Sequence, residues 1–479
     1  MKRITILLAA VVTIFSGCSK TETNPILEIE GGKVQGIASE TEGVTVYRGI
    51  PYAAAPVGEL RWKAPQPVTA WEGVKIADTW GAPSMQNKHR PEEVYTPEFF
   101  FDGDPEFSED CLYLNVWAPT KTLGKTDTKL PVAMWVHGGG YTAGWGFEPE
   151  MDGEAWAERG VILVTINYRL GIFGFLTHPF LSAENENGVS GNYGTLDQVA
   201  ALKWVYNNIA QFGGDPENIT IFGQSAGAMS IKNLVTTSLT GNMVKKAIIQ
   251  SGGGISGRAI IGGADLQAGM EANKAIFDWG GYDTLEKMRA ASTEEIFTLA
   301  SRYAQETGTY ARLTSSPVVD GYVTSESFDD AALAGRIKDI PYMIGFTMND
   351  MGALGAGIEK FCEVREAAGK PAYAYEFARP LPDSEENPHP LKGAFHSSEL
   401  WYIFHTLSRS DRPFTDVDDV LSNQMVDAWT NFAKYGNPNG ADGEQLWTPM
   451  TSDSKKYMVF KLNDDCSAVA SEMLEEPVL

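Results

Sequence analysis

The stretch FGQSAGAMS, Phe222 to Ser230, sets Ser225 between Gly223 and Gly227 at G-x-S-x-G spacing. A serine hydroxyl becomes a useful nucleophile only when a base takes its proton. The spacing serves that purpose where a strand enters a tight turn and a helix leaves it. NITIFG reads as the strand and AGAMSIKNLV as the helix start. Both glycines are required because a larger side chain would clash where strand and helix cross. Ala226 then offers an N–H beside the serine, at the positive end of the helix dipole. Upstream, WVHGGGYTAG follows the apolar run PVAMWV, and its three glycines leave main-chain amides unshielded. Unshielded amides suit a developing oxyanion. The chemistry these residues imply is acyl transfer through a serine.

Strands and helices must hold these groups in place. PVAMWVH, VILVTINY, NITIFG, KKAIIQS and PYMIGF read as buried strands. In LDQVAALKWVYNNIAQFGG, Leu202, Val205, Ile209 and Phe212 recur at helical spacing, with Gly213 and Gly214 as the stop. This alternation predicts an α/β protein with a mostly parallel, twisted central sheet covered on both faces. The irregular stretch QNKHRPEEVYTPEFFFDGDPEF is expected to form loops over one edge of the sheet.

The 479 residues, 43% of them hydrophobic, are enough for a large core. With 38 Lys/Arg against 62 Asp/Glu the net charge is −24, and no basic cluster tracks a phosphate backbone, which excludes nucleic acid as a partner. MKRITILLAAVVTIFSGC has the charged start, short apolar run and small residues of an export signal. Its end, FSGC, resembles the lipobox of bacterial lipoproteins. Residues 1–17 are therefore expected to be removed, Cys18 to be acylated, and residues 18–25 to form a tether before a domain spanning 26–479. Ser19 after the cysteine predicts sorting to the outer membrane, with the lipid as the membrane contact. The remaining Cys111, Cys362 and Cys466 permit at most one bridge. No CxxC or HxxxH spacing suggests a metal, and nothing calls for a cofactor.

The sequence resembles the type-B carboxylesterases of the α/β-hydrolase fold, which include cholinesterases and bacterial para-nitrobenzyl esterases. FGGDPENITIFGQSAG looks like that family's serine signature, and EDCLYLNVWAP, Glu109 to Pro119, like its second signature. YRGIPYAAAPVGELRW, NYRLGIFGFL, NYGTLDQVAALKWV and AIIQSG are similar to further family blocks. The resemblance runs from Leu27 to the C-terminus. It implies the catalytic order serine, acid, histidine. His389, His396 and His405 lie late enough to be the base. His389 sits in a proline-bounded stretch that reads as a surface loop, and His405 falls within the helical pattern SSELWYIFHTL. His396, in GAFHSSEL, matches the family's histidine motif, with Ser397 in place of the usual glycine, and is taken as the base. The acid is expected just past the strand YMIGF. There this chain has Asp350-Met351-Gly352 where the family has Glu-Gly. Asp350 is preferred over Asp320, which sits in a turn motif.

The resemblance further implies an oxyanion hole from the amides of Gly139, Gly140 and Ala226. Ser251 would support the acid, and Arg61–Glu109 and Arg169–Asp197 would be structural ion pairs. The family's disulfide partner for Cys111 falls at Ser84, so Cys111 is expected to be a free thiol. The unstapled loop from Asn87 to Phe107 is then expected to be more mobile than the sheet beneath, with Tyr95, Phe99, Phe100 and Phe101 partly rimming the site; the alternative is that the three phenylalanines are core. Gln224 stands where cholinesterases carry a glutamate that attracts cationic alcohols. The expected activity is hydrolysis of small to medium, neutral carboxylic esters by a monomer. Two alternatives are an acetyl or feruloyl esterase acting on carbohydrate and a non-catalytic binding protein of the same fold.

Overall fold

The computed structural model describes residues 24–255, 266–310, 312–386, 388–441 and 446–475. The export signal, Cys18 and most of the tether lie outside the described residues.

The apolar runs fold as strands that are buried on both faces. In PVAMWV the side chains alternate between two cores, Val132, Met134 and Val136 on one face and Ala133 and Trp135 on the other. Such a strand needs cover on each side, which explains why its neighbours in sequence are helices.

Thirteen strands occur among the described residues. The first are β1 (Ile26–Ile29), β2 (Gly32–Ala38), β3 (Val44–Pro51), β4 (Val74–Ala77) and β5 (Tyr113–Pro119). The central ones are β6 (Leu130–Val136), β7 (Ile162–Ile166), β8 (Gly214–Gln224), β9 (Val244–Gln250) and β10 (Tyr342–Thr347). Last come β11 (Tyr373–Phe377), β12 (Tyr457–Phe460) and β13 (Glu472–Leu474). They form one sheet in the order β1-β2-β3-β5-β7-β6-β8-β9-β10-β11-β12-β13, with β4 beside β2. Pairing is parallel from β7 through β12 and antiparallel from β1 to β7 and between β12 and β13. The sheet is thus mixed, with a parallel centre.

Five helices position the site: α1 (Thr96–Phe99), α2 (Tyr193–Asn208), α3 (Ala226–Thr236), α4 (Leu400–Ile403) and α5 (Asp416–Tyr435). Val199, Leu202 and Val205 of α2 and Ile231 and Leu234 of α3 fill the core on one face. Met425, Trp429 and Phe432 of α5 fill the other. The periodic run beginning at Leu202 tightens into a 3-10 turn at Ile209–Phe212, and Gly213, at φ 88°, ends it. Gly214 already belongs to β8, so one glycine makes the stop rather than two. Because the central strands run the same way, their carboxyl ends open onto a single edge, where the chain can bring distant loops together.

Candidate active site

Ser225 follows the last residue of β8 and precedes the first of α3, at φ 57° and ψ −123°. That backbone conformation is costly for a residue with a Cβ, and such strain is typical of functional turns. It survives because the crossing is tight. A Cβ on Gly227 would lie 2.0 Å from Val136 O, and one on Gly223 would lie 2.7 Å from Gly227 C and Val136 O. The Ser225 amide donates to Gln250 O of β9 at 2.9 Å, which fixes the turn to the neighbouring strand.

The glycines after β6 lie across from the serine. Gly139 and Gly140 adopt φ 87° and 62°. Neither amide donates to a protein acceptor among the described residues. Ala226, at the first position of α3, carries a third N–H without an intrahelical acceptor. His137 is fully enclosed, stacks on Tyr168, and burial lowers its pKa to about 4, so it is a neutral support for this loop.

Asp350 lies three residues beyond β10, and His396 lies in the loop before α4. Asn349 ties the two loops: its amide donates to Ala394 O at 2.9 Å and its Oδ1 accepts from Ala394 N at 3.0 Å. His396 Nδ1 consequently meets Asp350 Oδ1 at 2.7 Å, with the carboxylate 2% exposed. Asp350 also accepts from the amides of Met351 (2.7 Å) and Thr347 (3.1 Å) and from the Thr347 hydroxyl. Burial alone would raise the Asp350 pKa, but His396, Ser251 and Thr347 N together hold it below the ordinary value. Ser251 acts from nearby, without hydrogen-bond geometry. Its backbone, like that of Ser225, has positive φ, 53°. Ser397 is at φ 80°, the left-handed region that explains why a glycine is usual there.

With Asp350 on Nδ1, the neutral ring of His396 presents its lone pair at Nε2. Gln224 Nε2 approaches that nitrogen at 3.1 Å, while Ser225 and His396 line the same cavity. Among the described residues the partner of Nε2 is thus Gln224, and Ser225 meets His396 only as a fellow lining residue of that cavity. Asp320 is elsewhere: it accepts from the amides of Tyr322 and Thr324 within its own turn and from Asn192 Nδ2, which ties that turn to the start of α2.

Two expectations are corrected here. His389 is not on a surface loop: it is 5% exposed and held between Glu98 (3.2 Å) and Asp411 (2.8 Å). Phe101 does not rim the site; it is 43% exposed and lines a neighbouring groove. Tyr95, Phe99 and Phe100 do line the cavity with Ser225, whose volume is about 610 Å³. His405, just past α4, bonds Ser422 Oγ at 2.8 Å, a structural role.

The entrance segment is pinned. Glu98, buried in α1, accepts from Trp401 Nε1 (2.8 Å) and from Arg412 Nε and Nη2 (2.6 to 3.0 Å). Tyr95 OH donates to His396 O at 3.2 Å. Glu98 thus ties the entrance segment to α4 and to the stretch that carries Arg412. Ser84 sits beside Cys111, accepts from Leu170 N at 2.9 Å, and all three described cysteines are free. The ion pairs Arg61–Glu109 and Arg169–Asp197 are both bidentate.

Glu399, three residues after His396 and fully buried, is a further acid beside the site that was not among the residues expected from the sequence. Burial and the nearby Asp350 charge push its pKa up to about 7. The H-x-x-E spacing was its visible signal. Glu148 and Glu150 were likewise not expected from the sequence; burial raises the pKa of both, that of Glu148 to about 7.

A model of the carboxylesterase family matches residues 23–360 and 353–477. The chain is 36% identical over 465 residues to the fumonisin B1 esterase of Sphingopyxis macrogoltabida, covering 86% of this chain and 82% of that protein. It is 35% identical over 469 residues to the para-nitrobenzyl esterase of Bacillus subtilis, covering 87% and 91%. Among solved structures, a carboxylesterase of Geobacillus stearothermophilus superposes with a TM-score of 0.73 at 31% identity, over 94% of this chain and 97% of that one. The chain belongs to the carboxylesterase family: it is a carboxylesterase with the α/β-hydrolase fold.

Proposed function

We propose that the protein hydrolyses small to medium, neutral carboxylic esters through a Ser225–His396–Asp350 triad. Ser225 Oγ attacks the ester carbonyl while His396 Nε2 takes its proton. Asp350 holds the ring and stabilises the imidazolium. The oxyanion is received by the N–H groups of Gly139, Gly140 and Ala226. The imidazolium then protonates the leaving alcohol, and water, activated by the same histidine, cleaves the acyl-enzyme. The observation that carries this reading is the meeting of the 2.7 Å His396–Asp350 pair with the strained Ser225 turn and the unpartnered glycine amides in one cavity. The neutral preference rests on Gln224, which keeps the shape of a glutamate beside the base without its charge. A phosphonate ester should label the protein once, at Ser225, and Ser225→Ala should abolish both labelling and hydrolysis of 4-nitrophenyl acetate. Labelling of a different residue would refute the assignment.

The enzyme acts as a monomer, exported and held to the outer membrane by a lipid on Cys18. Cys18→Ala should leave the precursor uncleaved or release the protein from the membrane fraction; equal partition of both forms would rule the anchor out.

A further inference from the structure

The cavity has a second polar end that the triad does not use. His89 lines it, together with Glu148, Glu150 and the aromatic rings of Phe100 and Tyr95. Asp104 clamps this histidine twice, Oδ1 to Nδ1 at 2.6 Å and Oδ2 to the main-chain amide at 2.8 Å. The imidazole also stacks on Phe100 with ring centroids 3.6 Å apart and planes 12° from parallel, and meets the edge of Trp145. Position, plane and tautomer are therefore fixed before any ligand arrives. Nδ1 is committed to Asp104, which leaves Nε2 as the ring nitrogen that can meet a ligand.

Glu148 belongs to the same cluster, since its Oε1 accepts from the amide of Trp145 at 2.8 Å. Glu150 lies against it, 1% exposed, with Oε2 making no hydrogen bond. Burial raises the pKa of both carboxyls, so the pair can hold a proton and donate as well as accept. No Lys or Arg lines the cavity. The array offers fixed donors and acceptors beside aromatic faces, without the cation an anionic group would need. Hydroxyl groups on a carbon skeleton match that combination: the hydroxyls satisfy the polar atoms and the C–H faces lie on the rings.

We propose that His89, fixed by Asp104, is the specificity-determining residue of a hydroxyl-binding subsite, and that the preferred esters are those of polyhydroxylated alcohols. This rests on the serine-esterase reading above and narrows its substrate class. A site built to bond a hydroxyl discriminates against the analogue lacking it, because its own polar groups are then left unpaired.

The test compares kcat/KM within two matched pairs: glycerol monoacetate against n-propyl acetate, and a monoacetylated methyl xyloside against cyclohexyl acetate. The first pair probes a linear polyol and the second a sugar ring. In the wild type the hydroxylated member of at least one pair should be favoured about tenfold or more. His89→Phe keeps the stacking ring but removes Nε2, and should cut that preference by at least about fivefold. Absence of a preference in the wild type overturns the proposal without any variant. So does a His89→Phe enzyme in which both members of a pair fall equally, since His89 would then merely support the loop. Hydrolysis of the esters by Ser225→Ala would overturn the triad reading instead, which keeps the two failures distinct.

Discussion

The phenol of Tyr95 and the main-chain carbonyl of His396, 301 positions apart in the chain, are joined by a hydrogen bond of 3.2 Å. A residue of the entrance segment thus holds the loop that carries the base. Its ring also lines the cavity. Tyr95→Phe keeps the ring and removes the tether. The expected result is a kcat lowered about three- to tenfold with KM within about twofold, in line with the loss of one neutral hydrogen bond. A fall in melting temperature with kcat unchanged would make Tyr95 structural only.

Ser225→Ala, His396→Ala and Asp350→Asn should each remove most of the activity, Asp350→Asn the least. The double and triple variants should be little worse than the worst single one, because the three residues act as a unit. Single-turnover kinetics on 4-nitrophenyl acetate would measure this. Multiplicative losses would contradict it. Asp320→Asn should instead lower thermal stability, given its two turn contacts and its bond from Asn192.

Gln224 Nε2 lies 3.1 Å from His396 Nε2, the atom that accepts the proton in the proposed triad. In Gln224→Glu a carboxylate at this place favours the imidazolium, so the pKa of the base rises. The acid limb of the kcat/KM profile should move to higher pH by roughly one to two units. The wild type should hydrolyse a neutral isostere at least as well as the choline ester at moderate salt. A wild-type preference for choline above about tenfold would reveal an anionic or aromatic subsite beside the triad.

Glu399 is a buried acid whose folded pKa, about 7, exceeds its unfolded value of 4.5. Below pH 4.5 both states are protonated and the group is neutral in its effect. Between pH 4.5 and 7 the unfolded chain ionises and the folded one does not, so stability is lost as pH rises. Glu399→Gln retains an oxygen for Gln250 and cannot ionise. Its stability advantage over wild type should open between pH 5 and 7, reach about 3 kcal/mol and then level off. Urea titrations at pH 5, 6, 7 and 8 would show a constant gap if the carboxyl were charged throughout.

What the sequence disclosed depended on how local the constraint is. Gly223, Ser225 and Gly227 were legible because one strand–helix crossing decides all three. Asp350 and His396 were legible through their places after strand and before helix, together with the resemblance. His389 was misread because its partners, Glu98 and Asp411, come from other segments, and prolines beside it suggest exposure. Phe99, Phe100 and Phe101 are chemically alike, and only the short turn of α1 sends the first two to the cavity and the third to solvent. Glu98 showed no signal at all. A lone glutamate in an aromatic run acquires meaning only once Arg412 and Trp401 arrive.

Cys111 faces Ser84 rather than a second thiol, and the entrance segment is locked by charge and hydrogen bonds. Assembly of the catalytic framework therefore needs no oxidant and no disulfide exchange. A polypeptide beginning near residue 24 should reach the same fold in a reducing cytosol as in an oxidising compartment. Reducing agents should leave its activity untouched.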